Sequence, residues 1–136
     1  MNIELTPKQY RRLLDLVYIG NWILNSTRGA DRISDYDLVE SFLFGKSHQF
    51  NMPDLAEEIS GVPIPSKAFT EGGIHEAIMD YEDSVFFQIL AEELAHRDIF
   101  NAGLPEEPEE LANRIRAYIS EFEKNGISNI LIDSDM

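Results

Sequence analysis

Residues 6–29 read Thr6-Pro7-Lys8-Gln9-Tyr10-Arg11-Arg12-Leu13-Leu14-Asp15-Leu16-Val17-Tyr18-Ile19-Gly20-Asn21-Trp22-Ile23-Leu24-Asn25-Ser26-Thr27-Arg28-Gly29, and this stretch decides the fold. Thr6 can cap a helix, Pro7 fits the first helical position, where its missing N–H costs nothing, and Gln9 completes a capping box. The pattern predicts a helix from Pro7 to Arg28, ended by Gly29. At about 100° per residue, Tyr10, Leu13, Leu14, Val17, Asn21 and Leu24 share one face, which Tyr18 and Trp22 widen. Leu16, Ile19 and Ile23 lie on nearly the opposite side. A helix apolar on two sides is either central to its own fold or shared with a partner. Asn21 on the first face is a polar residue suited to fixing helix register.

Upstream, Ile3 and Leu5 alternate with polar residues, as in a short strand or an arm that packs down. Downstream, Asp31 to Phe44 reads as a second helix, capped by Asp31 or Ser34, with Ile33, Leu38 and Phe42 inward and Gly45 closing it. Residues 46–51 read as a loop, and Pro53 to Ser60 as a short third helix ended by Gly61. Pro63 and Pro65 force an extended run, so 61–73 connects two helical halves. The longest helix is expected over Ile74–Asn101, ended near Gly103 and Pro105. Pro108 starts a fifth, with core stripe Leu111, Ile115, Tyr118, Ile119 and Phe122. Its neighbours Glu106, Glu107, Glu109 and Glu110 complement the helix dipole, which is reason enough for the cluster. The fold expected is all-α: about five helices in one orthogonal or bundle-like domain over 1–136, with short extended segments at the two termini.

At 136 residues the chain is long enough for its own core. It carries a formal charge of −14. Residues 1–30 hold four basic side chains against two acidic ones, a balance of +2, so the other 106 residues carry −16. Such a surface repels phosphate backbones and argues against nucleic-acid binding. It suits solubility or a basic protein partner. No membrane span is expected, since the richest apolar stretch, Leu13–Leu24, is short and interrupted by Asp15 and Asn21. With no cysteine and no basic-then-apolar leader, the expected location is the cytoplasm.

Chemistry-bearing motifs are sparse. There is no cysteine nucleophile, no Gly-x-Ser-x-Gly and no glycine-rich phosphate loop, and Asp31–Asp37 lacks the glycine of a calcium loop. One constellation stands out, Glu92-Glu93-Leu94-Ala95-His96. Glu93 and His96 have the Glu-x-x-His spacing of di-iron bundles, and Glu92 and His96 share a face. The helical wheel sets both within the row Ile74, Ile78, Tyr81, Val85, Ile89 and Ile99. A second rotation, with Phe86, Phe87, Leu90 and Leu94 inward, leaves Glu92 exposed. Glu92, Glu93 and His96 are therefore the candidate metal ligands, with His75 or Asp15 as distant additions, although a complete site needs a second such motif and two more glutamates. A structural Glu92–His96 hydrogen bond, or a solvated pair, is the stronger reading, and no cofactor is implied.

Three functions remain. The leading one is a non-enzymatic interaction or structural protein, homodimeric through helix 7–28 or the tail 127–136, whose Ile130-Leu131-Ile132 should pack on the domain, on the N-terminal arm or on a second subunit. The alternatives are a metal- or small-ligand-binding protein using Glu92, Glu93 and His96, and an acidic inhibitor of a basic or nucleic-acid-binding partner.

Overall fold

The computed structural model describes residues 1–132. The chain forms two compact units, the first Met1–Ile78 and the second from Met79 onward. It is mostly helical, but a two-stranded sheet means that it is not purely all-α.

In the first unit, α1 (Pro7–Asn25) opens on the expected capping box. Gln9 N–H donates to Thr6 Oγ1 at 3.2 Å, and Thr6 N–H donates to Gln9 Oε1 at 2.9 Å. α2 (Ser34–Phe44) runs antiparallel to it. The Tyr10 hydroxyl, near the start of α1, donates to the Leu43 carbonyl at 2.6 Å, while Asn25, at its end, bonds Ile33 just ahead of α2. Tyr10, Leu14, Phe44, Phe69 and Ile74 form the core. Phe44 meets Phe69 edge-on at 4.8 Å and Tyr10 stacks on Phe50 at 4.0 Å.

α1 stops at Asn25, short of the expected Arg28, and α2 is capped at Ile33, not by Asp31 or Ser34. Two larger expectations also fail in this unit. The segment read as a third helix is a short 3₁₀ turn, Pro53–Leu55, followed by β1 (Ala56–Ile59), which pairs antiparallel with β2 (Val62–Pro65). Ser60 and Gly61 both take positive φ, 53° and 78°, as the tightest hairpin turn requires. That turn folds Ala56–Ile59 back onto a strand that its prolines forbid from being helical. Ile59 faces Val62 across it, so Val62 and Ile64 direct their N–H groups at β1. Pro63 and Pro65, which have none, sit at the outward positions. The extended segments therefore lie mid-chain; no strand is assigned to the N-terminal arm or to 127–132.

The second failure concerns α2, whose apolar residues were expected inward. Leu38 and Phe42 are 67% and 63% exposed, while Phe44 is buried and Asp37, Glu40 and Ser41 are partly covered. The helix turns a mixed polar face toward α1 and β2. A close approach holds it there, since a Cβ on Gly45 would stand 3.0 Å from Pro63 Cγ.

After β2, Ser66 caps one helical turn, Lys67–Phe69, accepting from Phe69 N–H at 3.2 Å. A wide turn at Thr70–Ile74 follows, in which Gly73 has φ 108°, a conformation side chains rarely adopt. α3 (His75–Asn101) begins there, and the unit boundary falls within it. In the second unit the remainder of α3 lies against α4 (Pro108–Asn125). Phe87 meets Phe122 at 5.3 Å, Tyr118 stacks on Phe122 at 6.0 Å, and the Tyr118 hydroxyl donates to Asp98. Ile127, Ile130, Leu131 and Ile132 are all exposed, so they do not pack on the domain as one expectation had it. The rest of the tail expected to pack, 133–136, lies outside the described residues.

Candidate functional site

α1 ends on asparagines where an apolar row would otherwise continue. Asn21 and Asn25 are buried, and each amide is consumed. Asn25 Nδ2 donates to Asn21 Oδ1 at 2.7 Å, and Asn21 Nδ2 donates to Asp37 Oδ1 at 3.0 Å. Arg32 clamps Asp37 from the other side, Nε to Oδ2 and Nη2 to Oδ1, both at 2.7 Å. That fork is the bidentate geometry of a strong charge-assisted pair. The Arg32 bonds, foremost, and the Asn21 bond hold the Asp37 carboxyl below its ordinary range.

Glu40, three residues on, shares the face of Asp37 and has the opposite fate. Burial pushes its carboxyl up; the Asn21 amide works against that, and the Asp37 charge adds to it. The pull of Arg32 is the weakest of these effects. Two carboxyls on one helix turn are thus driven apart by their surroundings, a pattern common at functional sites. Nearby, the Tyr18 hydroxyl and His75 Nε2 form a hydrogen bond of 2.7 Å, and Trp22 meets the His75 ring edge-on at 4.8 Å. Burial, then the Glu40 charge, raises the Tyr18 phenol.

Of these groups, Tyr18, Arg32, Asp37 and Glu40 border an open cleft of about 350 Å³. Tyr18, Arg32, Asp37, Glu40, Ser41 and Thr70 give it polar groups, and Val62–Pro65 of β2 gives it an apolar wall. Such a cleft can hold a small group that has both a charge and a hydrocarbon stem. The sequence pointed to Asn21 but not to Glu40. The usable signal was Asp37 and Glu40 at helical spacing with Arg32 ahead of the helix, but solvent-facing helices carry that pattern too.

The sequence-derived metal ligands lie elsewhere. Near that motif the buried residues of α3 are Ala91, Ala95 and Ile99; Ile99 belongs to the expected row, but Ala91 and Ala95 take the inward places that row gave to Glu92 and His96. Glu92 accepts from Gln88 Nε2, Glu93 is exposed, and His96 Nδ1 stands 3.4 Å from a Glu106 carboxylate oxygen. Asp15 is taken by Arg11 and Arg12, and His75 by Tyr18. Among the described residues no three His, Asp or Glu side chains gather as a metal site. No helix there is long and apolar enough to cross a membrane. Compared with family models, curated proteins and solved structures, the chain finds no match.

Proposed function

We propose that this chain is a non-enzymatic interaction protein that pairs with a second copy of itself through the outward face of α1. One observation carries the reading. Leu16 and Ile23, 69% and 62% exposed, flank Gly20 on the side opposite the buried Tyr10, Leu14, Asn21 and Asn25. Gly20 has no evident internal use. Its φ is not positive, and a Cβ there would meet nothing within 4 Å beyond its own helix and neighbours. A glycine inside a helix costs about 0.5–1 kcal/mol against alanine, a cost that a close crossing would offset. If two α1 helices cross antiparallel at Gly20, Leu16 of each meets Ile23 of the other. That self-complementarity is what a two-fold interface needs. The outward Leu38 and Phe42 of α2 add to the uncovered apolar surface.

Sedimentation velocity tests the pairing. A dimer at high micromolar concentration, reduced to monomer by Leu16→Glu, is expected; a wild-type monomer there would overturn it. The metal-ligand alternative has less support, since Glu92, Glu93 and His96 do not converge. A cytoplasmic location is part of the proposal and rests on the lack of cysteine.

A further inference from the structure

We propose that the cleft between α1, α2 and β2 binds a primary alkylammonium group, with Glu40 as its counter-ion. The inference is independent of the pairing proposed above. It begins with an unmatched charge. Arg32, the nearby cation, spends two hydrogen bonds on Asp37, and no ion pair reaches Glu40 among the described residues. Glu40 is nonetheless partly buried and feels its desolvation above every other effect. A carboxylate removed from water without a cation is an unfavourable arrangement that a cationic ligand relieves.

The walls define the rest of the ligand. Ser41 and Thr70 offer hydroxyl oxygens to ammonium N–H groups. Tyr18 adds an aromatic residue to the lining, a residue type that attracts cations. Pro63, Ile64 and Pro65 give a surface for methylenes. At about 350 Å³ the cleft is near the lower limit for ligand pockets, which suits a stem of a few carbons and excludes a nucleotide. Anions are disfavoured because the Arg32 charge is already neutralised and Glu40 repels them. A divalent cation lacks ligands, since both Asp37 oxygens accept from Arg32 and no third carboxylate or imidazole joins the pair. The chain's charge of −14 raises the local concentration of any cation.

The ammonium can come from a free amine or from a lysine side chain of a basic polypeptide. Titrating the whole chain with pentylammonium and with Nα-acetyl-lysine methylamide, followed by amide shifts in ¹H–¹⁵N spectra, separates the two. Saturable shifts of Ser41, Ile64 and Thr70 are expected with the ammonium probes and not with Nα-acetyl-norleucine methylamide. Glu40→Gln should weaken binding at least about tenfold. Tighter binding of the lysine derivative identifies a peptide side chain, and tighter binding of pentylammonium a free amine. Absence of saturable shifts up to about 10 mM, equal binding of the norleucine probe, or unchanged binding to Glu40→Gln overturns the site. The norleucine comparison uses the wild-type chain, so the test stands even if the variant fails to fold.

Discussion

Asn25 and Ile33 hold each other by two hydrogen bonds. Ile33 N–H donates to Asn25 Oδ1 at 2.8 Å, and Asn25 Nδ2 donates to the Ile33 carbonyl at 3.0 Å. Ile33 is the cap position of α2 and has no hydroxyl or carboxylate of its own to close the helix start. The last residue of α1 thus pins the chain where α2 begins. Asn25→Ala leaves the Ile33 N–H and the Asn21 Oδ1 without these partners. We expect a loss of about 1–3 kcal/mol, measured by urea unfolding; a loss below about 0.5 kcal/mol, the range of ordinary surface changes, would deny the corner its structural weight.

Glu40 and Asp37 should respond to acid with opposite signs. The folded-state carboxyl of Glu40 is raised, so its ionisation works against folding. That penalty is absent below the ordinary carboxylate range and complete once the pH passes the raised value. Glu40→Gln should therefore melt higher than wild type at pH 7, and the difference should vanish near about pH 3. Asp37 is lowered, so it contributes stability above the ordinary range and loses it as pH falls through the lowered value. Asp37→Asn should melt lower at pH 7, again converging with wild type in acid. Melting curves across pH 3–8 that move in the same direction for both variants would contradict this assignment.

Gly20→Ala separates folding from pairing. The methyl group meets nothing inside the unit, so the helix should gain up to about 1 kcal/mol. The same methyl should hold two α1 helices apart and weaken association. Unfolding at dilute concentration reads the first effect and sedimentation the second; tighter association in the variant would argue against a crossing at this residue.

Two phenylalanines test how α2 is turned. Phe44 is buried on α2, edge-on against Phe69, and Phe44→Ala should cost about 3–5 kcal/mol. Phe42 faces outward beneath Lys46, and Phe42→Ala in the dilute monomer should stay within about 0.5 kcal/mol. Equal costs would mean that α2 is rotated.

Metal removal should leave stability unchanged. Chelated and zinc-supplemented samples are expected to melt together, because Glu92 faces Gln88 and His96 faces Glu106. A zinc-induced rise in melting temperature that His96→Ala abolishes would restore the metal reading.

Local signals were legible where one short motif sufficed. Thr6, Pro7 and Gln9 announced the start of α1, and Asn21 was identified as a polar residue on a core-facing row. Failure came where tertiary structure chose between locally equal options. The period of α2 shows an apolar face but not which side meets the core, and here the side bearing Phe44, Asp37 and Glu40 does. Residues 53–60 carry no strong strand pattern of their own; pairing with the proline-bearing strand makes Ala56–Ile59 extended. The cleft was invisible for the same reason. Its members come from α1, α2, β2 and the segments holding Arg32 and Thr70, and nothing in the order of residues brings Glu40 beside Tyr18 and Ile64.

The alternating prolines of β2 have a consequence for colloidal behaviour. A strand from another molecule docking along that flank would find no backbone donor at residue 63 or 65, and on the opposite flank it would meet Glu58 on a strand only four residues long. Despite the exposed Ile59 and Val62, the hairpin is a poor template for fibril growth, and concentrated stocks should stay free of thioflavin-positive material.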